Sequence, residues 1–491
     1  MNNKALSPTI LWTKDEISLH IQGSWLNAPD NLVCTGVNIY SKQVTEGDLV
    51  FTTNSKQWPS RYPESHNFLD VFLKKGASAV IIHQIPPMVP SGLPLYIVNN
   101  TRTALANLAS AARKRLTGKV IAITGSAGKT TTREMTKTLL GAFGSVSATR
   151  KNYNHRTGLQ LTFAQTPQHV DFTVCEFAVG HPSNLQERLQ LTRPDIAVFT
   201  NIYGDHLRFY PTLRDVAHFK SKLFDVMPSN GIAIINKDNE YFEFIYDEAK
   251  KRNIKNILTF GLHEKSDIRA EEIELCQDHS MFALKVFGKQ QSCHLPVAGQ
   301  HNILNFLAAV SVLSALDLDT SSIGEMTDLI QLPALRNEEQ VIMLQPRGSF
   351  LLIADVFNSN FGSIQAGLKV LQLKKLAWPG YAIAVLGQIH GLGAASREQH
   401  EKLAEEILNS QIDKVFTLGE NMKYLAELLP KHLLAAHANT ADEIADKVSS
   451  MVRPGDVVYV KGWTLGRERV DVIITTLQNL AKRRGLVIKK S

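Results

Sequence analysis

One short stretch of this chain carries the densest chemistry: Gly125-Ser126-Ala127-Gly128-Lys129-Thr130-Thr131. Glycines let a backbone curl until several N–H groups face one point. A lysine directly after the second glycine can reach the β- and γ-phosphates of a nucleotide, and a threonine hydroxyl after it can hold Mg2+. The flanks are the ones such a loop needs. Residues 120–123 form an apolar, β-branched run that reads as a buried parallel strand, and Met135, Leu139, Leu140 and Phe143 recur at helical spacing. The start of that helix adds partial positive charge where phosphates would sit. The general phosphate-loop pattern has a glycine where this chain has Ile123, so the loop is of the short form.

Other reactive side chains gather at the ends of expected strands. Glu176 lies in the apolar run 172–179, and a buried carboxylate is costly unless it is paired or bound to metal. Mg2+ liganding or catalysis is therefore expected of it. Asn201, Asp205 and His206 follow the run 195–201, and Asn236 and Asp238 follow 231–236. In open parallel sheets, ligands sit beyond the carboxyl ends of strands, which gives these positions weight. Lys220 lies on the amphipathic stretch 213–227. His301, Asn302 and Asn305 open a long helix to residue 316; one of them could serve as a cap, but three together suggest a binding role. Gly391-Leu-Gly-Ala-Ala-Ser396 lacks the third glycine of a dinucleotide fingerprint, so NAD is not expected.

These groups need a large scaffold, and the 491-residue chain is long enough for about three domains. Hydrophobic content of 44% and charged content of 20% fit a soluble globular protein. A net charge of +7 without a long basic block argues against nucleic acid, and Lys482-Arg-Arg484 reads as a solvated helix end. The four cysteines are far apart and form no Cys-x-x-Cys pair, as expected of free thiols in a reducing cytoplasm. No stretch reads as a secretory signal, and the most apolar segment, 303–316, is too short to span a bilayer.

The expected fold class is α/β with three domains. Residues 1–116 read as a small α/β domain that serves as a binding platform, with strands near 47–51, 77–83 and 95–98 and helices at 68–75 and 101–116. Residues 117–332 alternate strands and helices as in a mostly parallel sheet, with a hairpin excursion at 280–286 and 291–297. Residues 333–491 restart the alternation, with strands at 350–357, 381–386, 414–418 and 456–460, as in a Rossmann-like domain. Helices are expected at 363–372, 397–408, 421–429 and 440–451.

Taken together, the motifs resemble those of the Mur ligase family over nearly the whole length. They are Thr124–Thr131, Asn152-Tyr-Asn154 with Gly158, Glu176 with Gly180, Asn201 with His206-Leu207, and Phe219-Lys-Ser-Lys-Leu-Phe224. Gly299-Gln-His-Asn302 with Asn305, Arg336, Asp355-Val-Phe-Asn-Ser-Asn360 and Val460-Lys-Gly462 complete the set. The resemblance implies a UDP-sugar or acid-substrate domain, a central P-loop ATPase-like domain and a C-terminal domain that brings the amine. It implies ATP-dependent amide-bond formation through an acyl phosphate in peptidoglycan synthesis, in the cytoplasm, with ATP and Mg2+. The implied substrates are a UDP-muramoyl-peptide-like acid and a dipeptide-like amine. Lys129 and Thr130 would hold phosphates and Mg2+. Thr130, Glu176, His206 and Lys220 would serve the metal, with Lys220 at the position the family carbamylates. Lys129, Glu176, His206 and Lys220 are the implied catalytic group. Residues 125–131 with His301, Asn302, Asn305 and Arg336 would contact nucleotide. Ser41, Lys42, Asn152, Asn154, Asp355 and Asn358 would face the substrates.

The departures cluster on the substrate side. The family's Asp-Ser-Arg element reads Tyr40-Ser41-Lys42, and the asparagine before the second loop glycine is Ala127. The proline of Asn-Ala-Asn-Pro is Phe361, the acidic residue after Leu-Gly is Gln388, and Lys-Gly-Ser reads Lys461-Gly462-Trp463. Two alternatives follow: the same chemistry on another acid and amine, or a non-catalytic nucleotide-binding paralogue.

Overall fold

The structure is a computed structural model that describes residues 9–59, 62, 64–178, 180–344, 348–464, 466, 468–482 and 489–490. By packing, the chain separates into two compact units: residues 1–122 with 144–178 and 183–194, and residues 123–143 with 179–182 and 195–491. It is mixed α/β throughout, with several largely parallel sheets.

In the first unit a five-stranded sheet runs Ser24–Leu26, Leu95–Ile97, Ala79–Ile82, Asp48–Phe51, Gly36–Asn38 in spatial order. Only the Ser24–Leu26 edge is antiparallel. Helix Leu69–Lys74 packs Leu69 and Phe72 against Val50, Val80 and Ile82. Gly76 follows that helix at φ +76, the left-handed geometry glycine adopts most easily after a helix C-terminus. Helix Thr101–Arg115 starts where the Asn100 side chain accepts from Thr103 N. Val146–Ala148 pairs in parallel with Phe172–Glu176. The latter strand stops at Glu176, short of the expected residue 179, and Val179 lies outside the described residues.

In the second unit the strands Ile196–Phe199, Ile232–Asn236, Asn256–Gly261 and Ile268–Leu275 pair in parallel. The expected hairpin is Ser280–Val286 with Lys289–Leu295, and it extends this sheet antiparallel to Ile268–Leu275 instead of standing apart. Helix Gln300–Ala315 is buried along most of its length, as its nearly unbroken apolar sequence requires.

The C-terminal sheet has the order Leu434–Ala438, Lys414–Leu418, Ala382–Gly387, Val457–Gly462, Ser349–Val356, Glu338–Met343, Lys489–Lys490. Its first five strands are parallel, Glu338–Met343 runs antiparallel to them, and Lys489–Lys490 pairs antiparallel to Glu338–Met343. Helices Ala441–Met451 and Val470–Lys482 share one apolar core with it, including Phe350, Val385, Ile444, Val460 and Ile473. Of the basic tail, Arg483 and Arg484 lie outside the described residues. No helix among the described residues is long and apolar enough to cross a membrane.

Candidate active site

Strand Lys119–Thr124 delivers the chain to the glycine loop, and helix Lys129–Leu140 leaves it. Both glycines are required by geometry. Gly125 has φ +145, and a Cβ there would lie 1.9 Å from Thr200 Oγ1; Gly128 has φ +80, and its Cβ would meet Asn305 Oδ1 at 2.3 Å. The loop is tied down from the carboxyl end of Ile196–Phe199. Ser126 N donates to Asn201 O, and Ala127 N donates to Asn201 Oδ1 at 2.8 Å. Asn201 Nδ2 donates back to Ala127 O at 3.1 Å, and Thr200 Oγ1 donates to the same carbonyl at 2.7 Å. Ser126 Oγ bonds to the backbone of Tyr203. Helix Gln300–Ala315 contributes Asn305, whose Oδ1 accepts from Thr132 Oγ1. Lys129 Nζ lies back along the loop, donating to Gly125 O at 2.8 Å and Ser126 O at 3.3 Å. Ser126 O accepts a second bond, 3.1 Å from Asn360 Nδ2.

Lys220, on helix Leu213–Ser221, is 1% exposed. Desolvation, reinforced by the Lys129 charge and opposed by Asp205, pulls its ammonium down to about 7. His206 adopts φ +59, unusual for a non-glycine residue, and its Nε2 lies 3.5 Å from Asp205 Oδ1. The loop that carries it touches the segment after strand Ala382–Gly387, where Arg208 N donates to Gly391 O at 2.8 Å.

His301 Nε2 lies 3.2 Å from Asn337 Nδ2, and desolvation pushes the ring down to about 4, so it is neutral at neutral pH. Asn302 Nδ2 donates to Ala298 O, a local bond at the helix start. Arg336 donates to Val356 O and covers the Phe357 ring. Asp355, at the end of Ser349–Val356, accepts from Lys461 Nζ at 2.6 Å and from Tyr459 Oη at 3.0 Å. Burial lowers Lys461 against the pull of Asp355 and raises Tyr459. Asn358 Oδ1 accepts from Ser359 N.

The first unit holds the remaining expected residues. Glu176 is 2% exposed and accepts from Asn154 Nδ2 at 2.7 Å, so its strand position is stabilised by an amide donor. Asn152 closes the turn to Asn154 through its carbonyl. Ser41 and Lys42 lie in a single 3-10 turn, and both of their carbonyls accept from Lys75 Nζ. Tyr40 packs against Tyr153 and Tyr62 with ring centroids 5.4 and 6.2 Å apart.

The structure thus gathers Gly125, Ser126, Ala127, Gly128, Lys129 and Asn305 about one loop, and joins Asn154 to Glu176. Sequence reasoning gave no role to Thr200, Tyr203 or Asn360, and placed Asn201 at a strand end without seeing its bonds to the loop. The rule that polar residues beyond strand ends count was the signal available for Asn201. The loop fits a nucleotide: its glycines are enforced by neighbours, its N–H groups open a helix, and its lysine is close by. Among the described residues no three His, Cys, Asp or Glu side chains gather as a metal group. A metal here would draw on donors outside that set, such as the Thr130 hydroxyl or a modified Lys220.

Comparison with known proteins follows the same lines. Residues 123–313 match the Mur ligase middle domain, and residues 340–463 match the Mur ligase glutamate ligase domain. A UDP-N-acetylmuramoyl-tripeptide–D-alanyl-D-alanine ligase from Buchnera aphidicola (subspecies Baizongia pistaciae) is 30% identical over 84% of this chain and 87% of its own. The protein of that name from Escherichia coli K12 is 27% identical over 91% and 92%. In fold, the chain resembles MurF from Acinetobacter baumannii, with TM-score 0.78 and 24% identity over 96% of this chain and 99% of that one. MurF ligase from Thermotoga maritima in complex with ADP gives TM-score 0.71 and 24% identity over 92% and 98%.

Proposed function

The chain belongs to the Mur ligase family, and on that premise we propose that it joins D-alanyl-D-alanine to a UDP-N-acetylmuramoyl tripeptide in the cytoplasm. It is an ATP-dependent ligase that forms an amide bond. The observation that carries the proposal is the enforced glycine loop with Lys129 Nζ lying along it.

A carboxylate is a poor electrophile. ATP supplies the phosphoryl group that turns it into an acyl phosphate with a good leaving group. Lys129 and the loop N–H groups neutralise charge on the phosphoryl oxygens. The amine then attacks, the C–N bond forms, and the C–O bond to phosphate breaks. Thr130, His206, Lys220 and Glu176 are assigned to Mg2+, with Lys220 carbamylated. A neutral Lys220 Nζ adds to CO2 and releases one proton, which replaces an ammonium with an anionic oxygen donor. His301, Asn302, Asn305 and Arg336 are assigned to the nucleotide, and Ser41, Lys42, Asn152, Asn154, Asp355 and Asn358 to the substrates. The domain division assigned is 1–116, 117–332 and 333–491.

The test is phosphate release from ATP with the UDP-muramoyl tripeptide, with and without D-alanyl-D-alanine. Release that requires both supports the proposal; ATP binding with no turnover on this pair rejects it. Lys129→Ala abolishes turnover, and unchanged activity would remove the loop from the mechanism. A second reading keeps the chemistry but changes the acid and amine. It is favoured by Tyr40, which stands in the aromatic group with Tyr62 and Tyr153 where the family has an aspartate.

A further inference from the structure

Three parallel strand ends of the C-terminal sheet converge on one polar group. Ala382–Gly387 runs into Gln388 and His390, Lys414–Leu418 into Gly419, and Val457–Gly462 into Trp463 and Glu468. The carboxyl ends of parallel strands are where such sheets receive ligands. Gly419 has φ +108, and a Cβ there would lie 2.9 Å from Glu468 Cδ and 3.0 Å from Gln388 Cδ, so both side chains rest directly on it. Gln388 is fixed from both sides: its N–H donates to Leu418 O, and its Oε1 accepts from Asn421 N at 3.0 Å.

His390 stands over this floor. Its Nε2 lies 3.2 Å from Glu468 Oε2, and its ring is 5.6 Å from the Trp463 ring, centroid to centroid. The imidazole side chain is 40% exposed and the carboxylate side chain 17%. Glu468 Oε2 is itself enclosed, yet among the described residues no donor is aligned to hydrogen-bond it. Oε2 is closed off behind His390, so an incoming ammonium meets the carboxylate at its open part, which the 17% exposure of the side chain supplies.

The neighbouring charged and titratable groups are otherwise engaged. His400 on helix Ser396–Leu408 is buried; its Nε2 accepts from Ile389 N and its Nδ1 donates to Ser396 O, and burial pushes it below its ordinary range. Lys461 is committed to Asp355. Arg469 is paired with Asp471 in the open. From the loop packed against this segment, Arg208 N holds Gly391 O, and the His206 Cα lies 3.9 Å from where a Gly391 Cβ would stand. His390 therefore sits one residue from a contact with the His206 loop.

We propose that His390 and Glu468 are catalytic residues for the amine substrate: Glu468 receives its ammonium, His390 removes a proton from it, and Trp463 and Gln388 wall the site. This deepens the ligase reading and rests on it. The amine arrives as R–NH3+. Neutral His390 takes one proton to become imidazolium, and the freed nitrogen lone pair forms the C–N bond. The C–O bond to phosphate breaks with its electron pair, the second nitrogen proton leaves with phosphate, and His390 returns its proton to solvent. The ligand class is a primary amine of an amino acid or dipeptide.

The test separates activation of the acid from use of the amine. Full-length enzyme, ATP and the UDP-muramoyl tripeptide are given hydroxylamine, which is already unprotonated at neutral pH and needs no base, and separately D-alanyl-D-alanine. Wild type forms hydroxamate with the first and amide with the second. His390→Gln forms hydroxamate at the wild-type rate and loses about 100-fold in kcat/KM for the dipeptide, the low end of what a general base contributes. Its remaining amide rate climbs in alkaline solution as the dipeptide loses its own proton. Glu468→Gln raises the KM for the dipeptide and spares hydroxamate formation. Unchanged dipeptide kinetics and pH profile in His390→Gln, or equal loss in both reactions, overturns the assignment. Wild-type enzyme that forms no hydroxamate rejects the ligase reading itself, and this inference with it.

Discussion

Lys220 is almost wholly removed from water, at 1% exposure. A folded-state value near 7, against the model-peptide value of about 10.4, means the unfolded chain holds a proton there that the folded chain has shed between those limits. This group's contribution to stability therefore rises with pH through that window, and its full penalty is present below pH 7. The chemistry follows the same sign, because only the neutral amine can add CO2. Turnover of CO2-depleted enzyme should fall, bicarbonate should restore it, and restoration should fail as the solution is acidified below about 7. Intact-protein mass should show the added carbamate after trapping; a lysine that carries nothing when turnover is highest would refute the modification. At Gly128, alanine meets both the left-handed backbone and Asn305 Oδ1 at 2.3 Å. Gly128→Ala should lose ATP affinity, read by nucleotide titration. The backbone strain alone costs about 1–2 kcal/mol, and the clash with Asn305 adds to it.

Helix Phe361–Lys375 shows how an element can serve two ends. Asn360 caps it by accepting from Ser363 N at 2.9 Å, and its other side-chain atom donates to Ser126 O. Asn360→Asp keeps the acceptor and removes the donor, whereas Asn360→Ala removes both. We expect the alanine variant to be less stable by about 1 kcal/mol, measured by denaturant unfolding. Both variants should raise the KM for ATP. Equal ATP kinetics in all three proteins would confine Asn360 to capping. This bond also marks where sequence reading stops. The phosphate loop was legible because glycine spacing, a β-branched run and a helical repeat lie side by side. The Ser126–Asn360 and Ala127–Asn201 bonds span 234 and 74 residues and end on backbone carbonyls or amides, so no spacing announces them. Short strands were missed for a different reason. Glu338–Met343 is half-exposed, and Leu434–Ala438 is mostly so, which leaves neither with the solid apolar run that marked Ile232–Asn236.

Across the whole molecule, ligand linkage offers the broadest check. A nucleotide that binds only the folded chain stabilises it by about 2.7 kcal/mol at one hundred times its Kd. ATP should raise the unfolding midpoint of wild type and leave that of Lys129→Ala unmoved. A shift of the same size in both would place nucleotide binding elsewhere. The architecture was readable at this scale because buried parallel strands and their connecting helices write strong, repeated patterns, while the hairpin's place on the sheet edge was set by pairing partners that no local pattern names. One last consequence follows from the oxygen that Lys129 shares with Asn360. When the lysine swings toward an incoming anion, Ser126 O is not stranded, because the asparagine amide remains on it. Only the Gly125 carbonyl must find a new donor, so half of the tether can be released without a desolvated acceptor left behind.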